Sequence, residues 1–267
     1  MFWQPSFLRR KILLKGMSYR NRSRFTFSLL AASLALCCAF IAMLAGLGNR
    51  QGWWDFHTGL IILKWSAYTE AMVVIVSVIG IILSAFKKRK NALGFFLIGA
   101  VICILALGIP LSMWLTAHHV PSIHDITTDT ENPPEFAAIL KVRRNAPNPV
   151  EYGGPDVAAQ QHKAYPDIMP LILDLPPVKA FDRAVAVAAK MGWDIVNVNL
   201  ANGIVEATDT TFWFGFKDDV VIRISLDATG SRIDIRSVSR VGVSDIGTNA
   251  KRIRNYLRVL KAIAQEG

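Results

Sequence analysis

Residues 218–239 read DDVVIRISLDATGSRIDIRSVS, and their alternation decides the fold of the C-terminal half of the chain. Val220, Ile222, Ile224 and Leu226 alternate with Val221, Arg223 and Ser225. After the turn Asp227-Ala228-Thr229-Gly230, Ile233 and Ile235 alternate with Arg232, Asp234 and Arg236. Successive strand side chains point to opposite faces, so one face is apolar and the other polar, the pattern of an antiparallel sheet covered on one side. Upstream, runs 193–200 and 204–211 are joined by the hairpin signal Ala201-Asn202-Gly203. Residues 178–191 predict a helix ended by Gly192, with Phe181, Val185 and Ala188 on one face. Residues 248–264 predict a second helix, with the stripe Ile253, Leu257, Leu260 and Ala264. The expected class is α+β, a four-stranded antiparallel sheet with helices on its apolar face, over residues 178–267.

Residues 118–177 hold ten of the twelve prolines, so they cannot form one long helix. They predict an extended strap with short turns. Asn132 could cap one turn, with Pro133 at its first position, and a second is expected over 156–163.

The N-terminal part is of another kind. The chain is 52% hydrophobic, and residues 25–47, 67–86 and 92–117 are apolar runs of about 20 residues or more, enough to cross about 30 Å of hydrocarbon. The first is too long for a secretory h-region and no Ala-x-Ala follows it, so it is expected to be retained. The net charge of +10 is concentrated near these runs: residues 1–24, a basic arm, carry seven cations and no acid, while residues 118–267 carry 17 cations and 18 acids. A nucleic-acid partner is therefore not expected. The basic arm and the Lys87–Lys90 turn predict a cytoplasmic N-terminus, and three crossings then put residues 118–267 in the periplasm of a bacterial inner-membrane protein. Trp53, Trp54, Phe56, Trp65, Tyr68 and Trp114 suit the outer interface. Met17 offers a second start that retains three cations before the first span. Cys37, Cys38 and Cys103 all fall in the spans, so the C-terminal region can form no disulfide. Glu70, about one turn inside the second run, is either an intramembrane acid with a functional role or an interfacial acid reaching outward and paired with Lys64, and the second is the expectation. Ala31, Ala35, Ala39, Ala42 and Gly46 form a small-residue ridge through which copies of the chain could associate.

A resemblance joins these readings. The runs Asp218-Asp-Val-Val-Ile-Arg, Ser231-Arg-Ile-Asp-Ile-Arg-Ser-Val-Ser-Arg-Val-Gly and Ser244-Asp-Ile-Gly-Thr-Asn-Ala-Lys-Arg-Ile are similar to those of the bacterial domain-of-unknown-function 1499 family. The segment from His124 to Phe136 resembles the opening of its membrane-anchored members, and the likeness spans about 121–260. Where many members have Asn-Cys-Val, this chain has His124-Asp-Ile-Thr-Thr, so no role of that cysteine carries over. The resemblance implies the fold unit and no activity, substrate or cofactor.

The densest polar constellation is Arg236, Ser237, Ser239, Arg240, Asp245, Asn249 and Arg252, with Gly242 and Gly247 between. Alternation puts Arg236 opposite Ser237 and Ser239. One expectation is structural: Asp245 or Thr248 caps the last helix and Arg240 pairs with Asp245. The other is an anion pocket, with charge from Arg240 and Arg252 and donors from the helix start. A hydrolase built on Ser239, Arg240 and Asp245 is the enzymatic alternative, and a structural subunit of a membrane complex a third. Gly242-Val-Ser-Asp-Ile-Gly247 misses the nucleophile elbow, because its second glycine comes one residue late. Asp218-Asp219 is read as a solvated acid pair at a hairpin end. His118, His119 and His124 beside Asp125 match no metal-ligand spacing, and no Walker loop or dinucleotide fingerprint occurs. No metal or cofactor is expected. The expected partners are the lipid bilayer and an envelope or membrane protein. Lys251, Arg254, Arg258 and Lys261 recur at three- and four-residue spacing opposite the apolar stripe of the last helix, either as a solvated face or as a membrane-surface contact.

Overall fold

The computed structural model describes the backbone of residues 6–265 and the side chains of residues 26–265. The side chains of the basic arm, and the choice between Met1 and Met17, lie outside the described residues. The chain divides into two compact units, Met1–Ser112 and Met113–Gly267.

Unit one holds helices α1 (Ser6–Arg50), α2 (Phe56–Phe86) and most of α3 (Lys90–His119). Thr26–Arg50, α2 and α3 are long and apolar enough to cross a membrane. Asp55 caps α2, its carboxylate accepting from the Thr58 N–H at 2.9 Å. The helix therefore starts well before residue 67, where the apolar run begins. Leu60, Ile61, Met72, Ile75 and Ile79 face outward, while Gly59, Ser66, Glu70, Ser77, Gly80 and Ser84 are buried. The helices thus turn apolar bulk outward and small or polar groups inward, which lets their backbones approach. Of the α1 ridge, Ala31, Ala35 and Ala42 are buried within the chain's own bundle. Ser66 ties α2 to α1 by donating to the Cys38 carbonyl at 3.1 Å.

In unit two, α5 (Pro177–Lys190) leads into β3 (Asp194–Asn199), β4 (Ile204–Thr210), β5 (Lys217–Asp227), β6 (Gly230–Ser239) and α6 (Thr248–Gln265). The four strands form the expected antiparallel meander, but the sheet has six strands. The strap adds β1 (Asp125–Thr127) and β2 (Leu171–Leu173), both paired antiparallel to the outer edge of β6. Three-residue strands carry too little alternation to be read from sequence. They matter nonetheless, because they cover an edge that would otherwise expose unpaired backbone groups. The strap also holds a 3₁₀ turn at Ala138–Lys141 and α4 (Gly154–Ala164), which contains the expected 156–163 turn. No helical turn capped by Asn132 forms; Asp129 instead accepts from the Glu131 and Asn132 N–H groups and holds residues 130–132 in a bend.

α5 and α6 pack on the apolar face, as the alternation predicts. Val205, Ala207, Val220, Ile222, Ile233 and Ile235 meet Phe181, Ala184 and Val187 of α5 and Ile253, Tyr256 and Leu260 of α6. Tyr256 stacks on Trp193 at 5.2 Å and donates to the Ala184 carbonyl, so this buried phenol has its partner. The polar face differs from expectation: it is buried too, beneath residues 128–150 of the strap. Phe136 and Ile139 close over Val221 and Val238 in a second, smaller core.

Gly203, in the β3–β4 hairpin, has φ +64°, and a Cβ there would lie 2.1 Å from the Ile224 carbonyl oxygen. We expect Gly203→Ala to destabilise the fold by about 1 kcal/mol or more, since alanine resists positive φ and the strand behind cannot yield. The check is a lowered unfolding midpoint of the full chain in detergent, followed by near-ultraviolet circular dichroism.

Candidate functional site

The polar face of the sheet is a ladder of buried ion pairs. Asp219 is fully buried on β5. Its Oδ2 accepts from Arg143 Nη1 at 2.7 Å and its Oδ1 from Arg240 Nη2 at 2.7 Å and Thr208 Oγ1 at 2.8 Å. Arg143 reaches from the strap and also donates to the carbonyls of Asn148, Pro149 and Ser239. One strand position along, Arg236 makes a bidentate pair with Asp125 at 3.0 and 2.7 Å and donates to the Pro134 and Val150 carbonyls. Its guanidinium lies between the rings of Phe136 and Tyr152, at 5.3 and 5.5 Å. Burial pushes the Asp125 carboxyl up, and Arg236 opposes that shift. Burial likewise pushes the Tyr152 phenol up to about 12. Farther along, Asp234 accepts from Arg223 and Arg232, both of which also reach Asp129. Glu206 accepts from the N–H groups of Ala137, Ala138 and Ile139 at 2.7, 2.9 and 3.3 Å, which seats the 3₁₀ turn on β4.

A second cluster sits at the start of α6, on the helix side. Arg252 is buried and pairs with Asp218 at 2.6 Å and Asp209 at 2.7 Å. It also donates to Ser237 Oγ and Asn249 Oδ1. Asn249 donates to Ser239 Oγ and the His124 carbonyl, each at 3.0 Å. Asp245 accepts from the Gly247 N–H at 2.8 Å and the Asn249 N–H at 2.6 Å, so it organises the turn into α6. Burial pushes the Asp245 carboxyl up, and those two N–H groups act against it.

The structure therefore brings Ser237, Ser239, Asn249 and Arg252 together and places Asp245 at the same helix start. Arg236 and Arg240 fall on the opposite face. Arg240 pairs with Asp219 rather than Asp245, since alternation along β6 carries it to the strap side. Asp218 and Asp219 are both buried rather than solvated: β5 begins at Lys217, so the two acids lie inside a strand and face opposite layers. Their arginine partners come from α6 and from the strap, a pairing that no local spacing announces. Asp125, Arg143, Glu206 and Asp234 were also missed as buried polar groups. For Glu206 and Asp234 the available signal is charge at regular strand positions, whereas Asp125 and Arg143, in the strap, carry none.

The stripe on α6 is partly engaged. Lys251, Arg258 and Lys261 are exposed, whereas Arg254 pairs with Asp167 and lies over the Tyr165 ring. That pairing holds the Asp167 carboxyl below the usual range. His118 and His119 bond carbonyls of their own helix, and Asp125 is taken by Arg236. Among the described residues no group of His, Cys, Asp and Glu could hold a metal ion. In unit one, Glu70 does not reach outward. It is fully buried and neither carboxyl oxygen has a hydrogen-bond partner, while Lys64 lies over the Tyr68 ring at 5.9 Å.

Three helices able to cross a membrane, followed by an α+β unit with a sheet covered on both faces, define the class. The family model described as protein of unknown function (DUF1499) matches residues 125–260, and the chain belongs to that family. No curated protein matches the chain.

Two variants separate the clusters. Asp219→Ala leaves Arg143 buried without its carboxylate, and we expect a loss of about 3–5 kcal/mol, the usual result of breaking a buried pair from one side. Asp245→Ala removes only the turn contacts, and about 0.5–2 kcal/mol is expected. Denaturant unfolding of the full chain should rank them in that order; equal effects would contradict the assignment.

Proposed function

We propose that this chain is a multi-pass protein of the bacterial inner membrane that displays unit two in the periplasm as a recognition module rather than an enzyme. On this reading the module's contact surface is the exposed basic face of α6, and its ligand class is the anionic lipid head group. The observation that carries the reading is the division of cations in unit two. Arg143, Arg236, Arg240 and Arg252 each pair with a carboxylate at least 90% buried in the fold, whereas Lys251, Arg258 and Lys261 are exposed on one helix with no ion pair among the described residues. Each such cation near anionic lipid contributes about 1 kcal/mol. Tethering by the spans keeps the module's effective concentration at the membrane high. The geometry does not favour the hydrolase reading: Ser239 Oγ accepts from Asn249, and Arg240 faces the other layer.

The contact is tested with the full chain in nanodiscs. Amides of α6 should gain hydrogen-exchange protection in phosphatidylglycerol relative to phosphatidylcholine, and lose it as salt shortens the screening length. Replacing Lys251, Arg254, Arg258 and Lys261 by Gln should abolish the difference. Equal protection in both lipids would remove the idea.

Orientation has its own test. A reporter active only in the periplasm should work when fused after Gly267 and stay silent in the Lys87–Lys90 turn; the reverse pattern would overturn the topology.

A further inference from the structure

Glu70 is the only acid within the three membrane-length segments. It lies 14 residues from the start of α2 and 16 from its end, roughly 21 and 24 Å at 1.5 Å per residue. It is fully buried, and neither Oε1 nor Oε2 has a hydrogen-bond partner. The titratable groups that interact with it are Cys38 of α1 and Cys103 of α3, both buried. Packed with Cys103 are Ala35 and Val73. Among the described residues no cation is paired with it: Lys64 lies over the Tyr68 ring, and Lys87 and Arg89 come after the end of α2, which is roughly 24 Å along the axis from Glu70. An unpaired carboxylate enclosed in this way costs several kcal/mol. A leucine or glutamine would fill the space without that cost.

We propose that Glu70 is a proton-binding site at the centre of the membrane unit, resting as the neutral acid and exchanging its proton from within the bundle. The inference rests on the reading of the three helices as spans. The donor set selects the proton over a metal ion. A bound cation needs several oxygen ligands, and α2 is an unbroken helix whose carbonyls are used internally. On the buried face the nearest polar residue, Ser66, is one turn away and its hydroxyl is committed to the Cys38 carbonyl, while toward the other end Ser77 is two turns away, about 10.5 Å along the axis. The Ser77 hydroxyl is also buried without a partner. The same buried row continues to Ser84, which lines a cleft of about 330 Å³ together with Phe27, Gly80, Lys87, Arg89 and Phe96. Ser77 and Ser84 are spaced about 10.5 Å from Glu70 and from each other, so a proton moving along this row toward one end of the bundle needs intervening water. Loss of the proton leaves a bare anion among apolar groups, so the unloaded state must loosen the bundle or admit water. Proton occupancy and helix packing are thereby linked.

The test is the reaction of N,N′-dicyclohexylcarbodiimide with the full chain in native membranes. This apolar reagent needs the protonated acid: the carboxyl proton passes to one carbodiimide nitrogen and the carboxyl oxygen bonds to the central carbon. The O-acylisourea then rearranges to a stable N-acylurea, so the whole reagent is added and nothing leaves. Cleavage after Lys64 and Lys87 releases residues 65–87, whose single acid is Glu70. We expect one reagent mass on that peptide, a rate that falls as pH rises, and no labelling by a water-soluble carbodiimide. Absence of the adduct, or equal labelling by both reagents, overturns the proposal. Infrared spectra supply a second readout: the difference between wild type and Glu70→Gln should contain the carbonyl band of one protonated acid, and a difference spectrum without that band also overturns the proposal. Alkaline extraction separates the two readings. A chain released from the membrane refutes the spans themselves, whereas a retained chain without the adduct refutes only the proton site.

Discussion

Asp219 is fully buried on the strap side of the sheet, and a carboxylate placed there must be paired. Its two arginine partners arrive from different directions. Arg240 follows directly on β6, next to β5, and Arg143 comes from the strap some 76 residues earlier in the chain. Once Arg143 is seated, its Nη2 fixes the carbonyls of Asn148, Pro149 and Ser239, and the Asn148 amide fixes those of Ser239 and Gly242. The proline-rich strap becomes a layer of the fold through these bonds and not through any large apolar face of its own. The rest of unit two depends on this arrangement. With residues 128–150 held down, Asp125 lies in register against β6, Arg236 finds its carboxylate and Glu206 receives the 3₁₀ turn.

Residues 218–239 show how far alternation reaches. It correctly assigns Ile222, Ile224, Ile233 and Ile235 to the helices and separates Arg236 from Ser237. It cannot tell a solvated polar face from one whose charges are buried in pairs, because Arg223, Asp234 and Arg236 look the same in either case. What distinguishes the two is the cover, and the cover is a segment whose prolines and three-residue strands carry no periodic signal. Tertiary pairing then overrides local guesses. Arg240 lies five residues from Asp245, yet bonds Asp219 across the neighbouring strand. The start of α6 is more legible, since Asp245 accepts from the N–H groups of Gly247 and Asn249, within four residues of its own position, and obeys capping rules.

The membrane unit divides in the same way. Run length and polarity are enough to find three helices able to cross a bilayer. They do not locate Glu70 within its helix, because the apolar run begins at 67 while α2 begins at Phe56. The intervening His57, Lys64 and Trp65 interrupt the hydropathy without interrupting the helix. Eleven extra residues, about three turns, move Glu70 from an expected interface to the middle of the helix. The inward row of Ser66, Ser77 and Ser84 is likewise invisible to a hydropathy window, which averages over the faces of a helix.

The run that carries the family likeness also explains why the likeness conveys a fold without an activity. From Arg236 to Arg252 its polar residues, Lys251 apart, are turned to internal use. Arg236 and Arg240 bind the strap layer, Ser237, Ser239, Asn249 and Arg252 bind β5 and α6 together, and Asp245 shapes the turn between them. Each is a partner whose loss strands another buried group, so a sequence that keeps this architecture has reason to keep the whole run. Residues that meet a ligand are under a different constraint: they have to stay accessible, and the fold does not need them paired. On the proposed reading those are the exposed cations of α6, which lie at the end of the motif or beyond it and whose identity the packing of unit two leaves open.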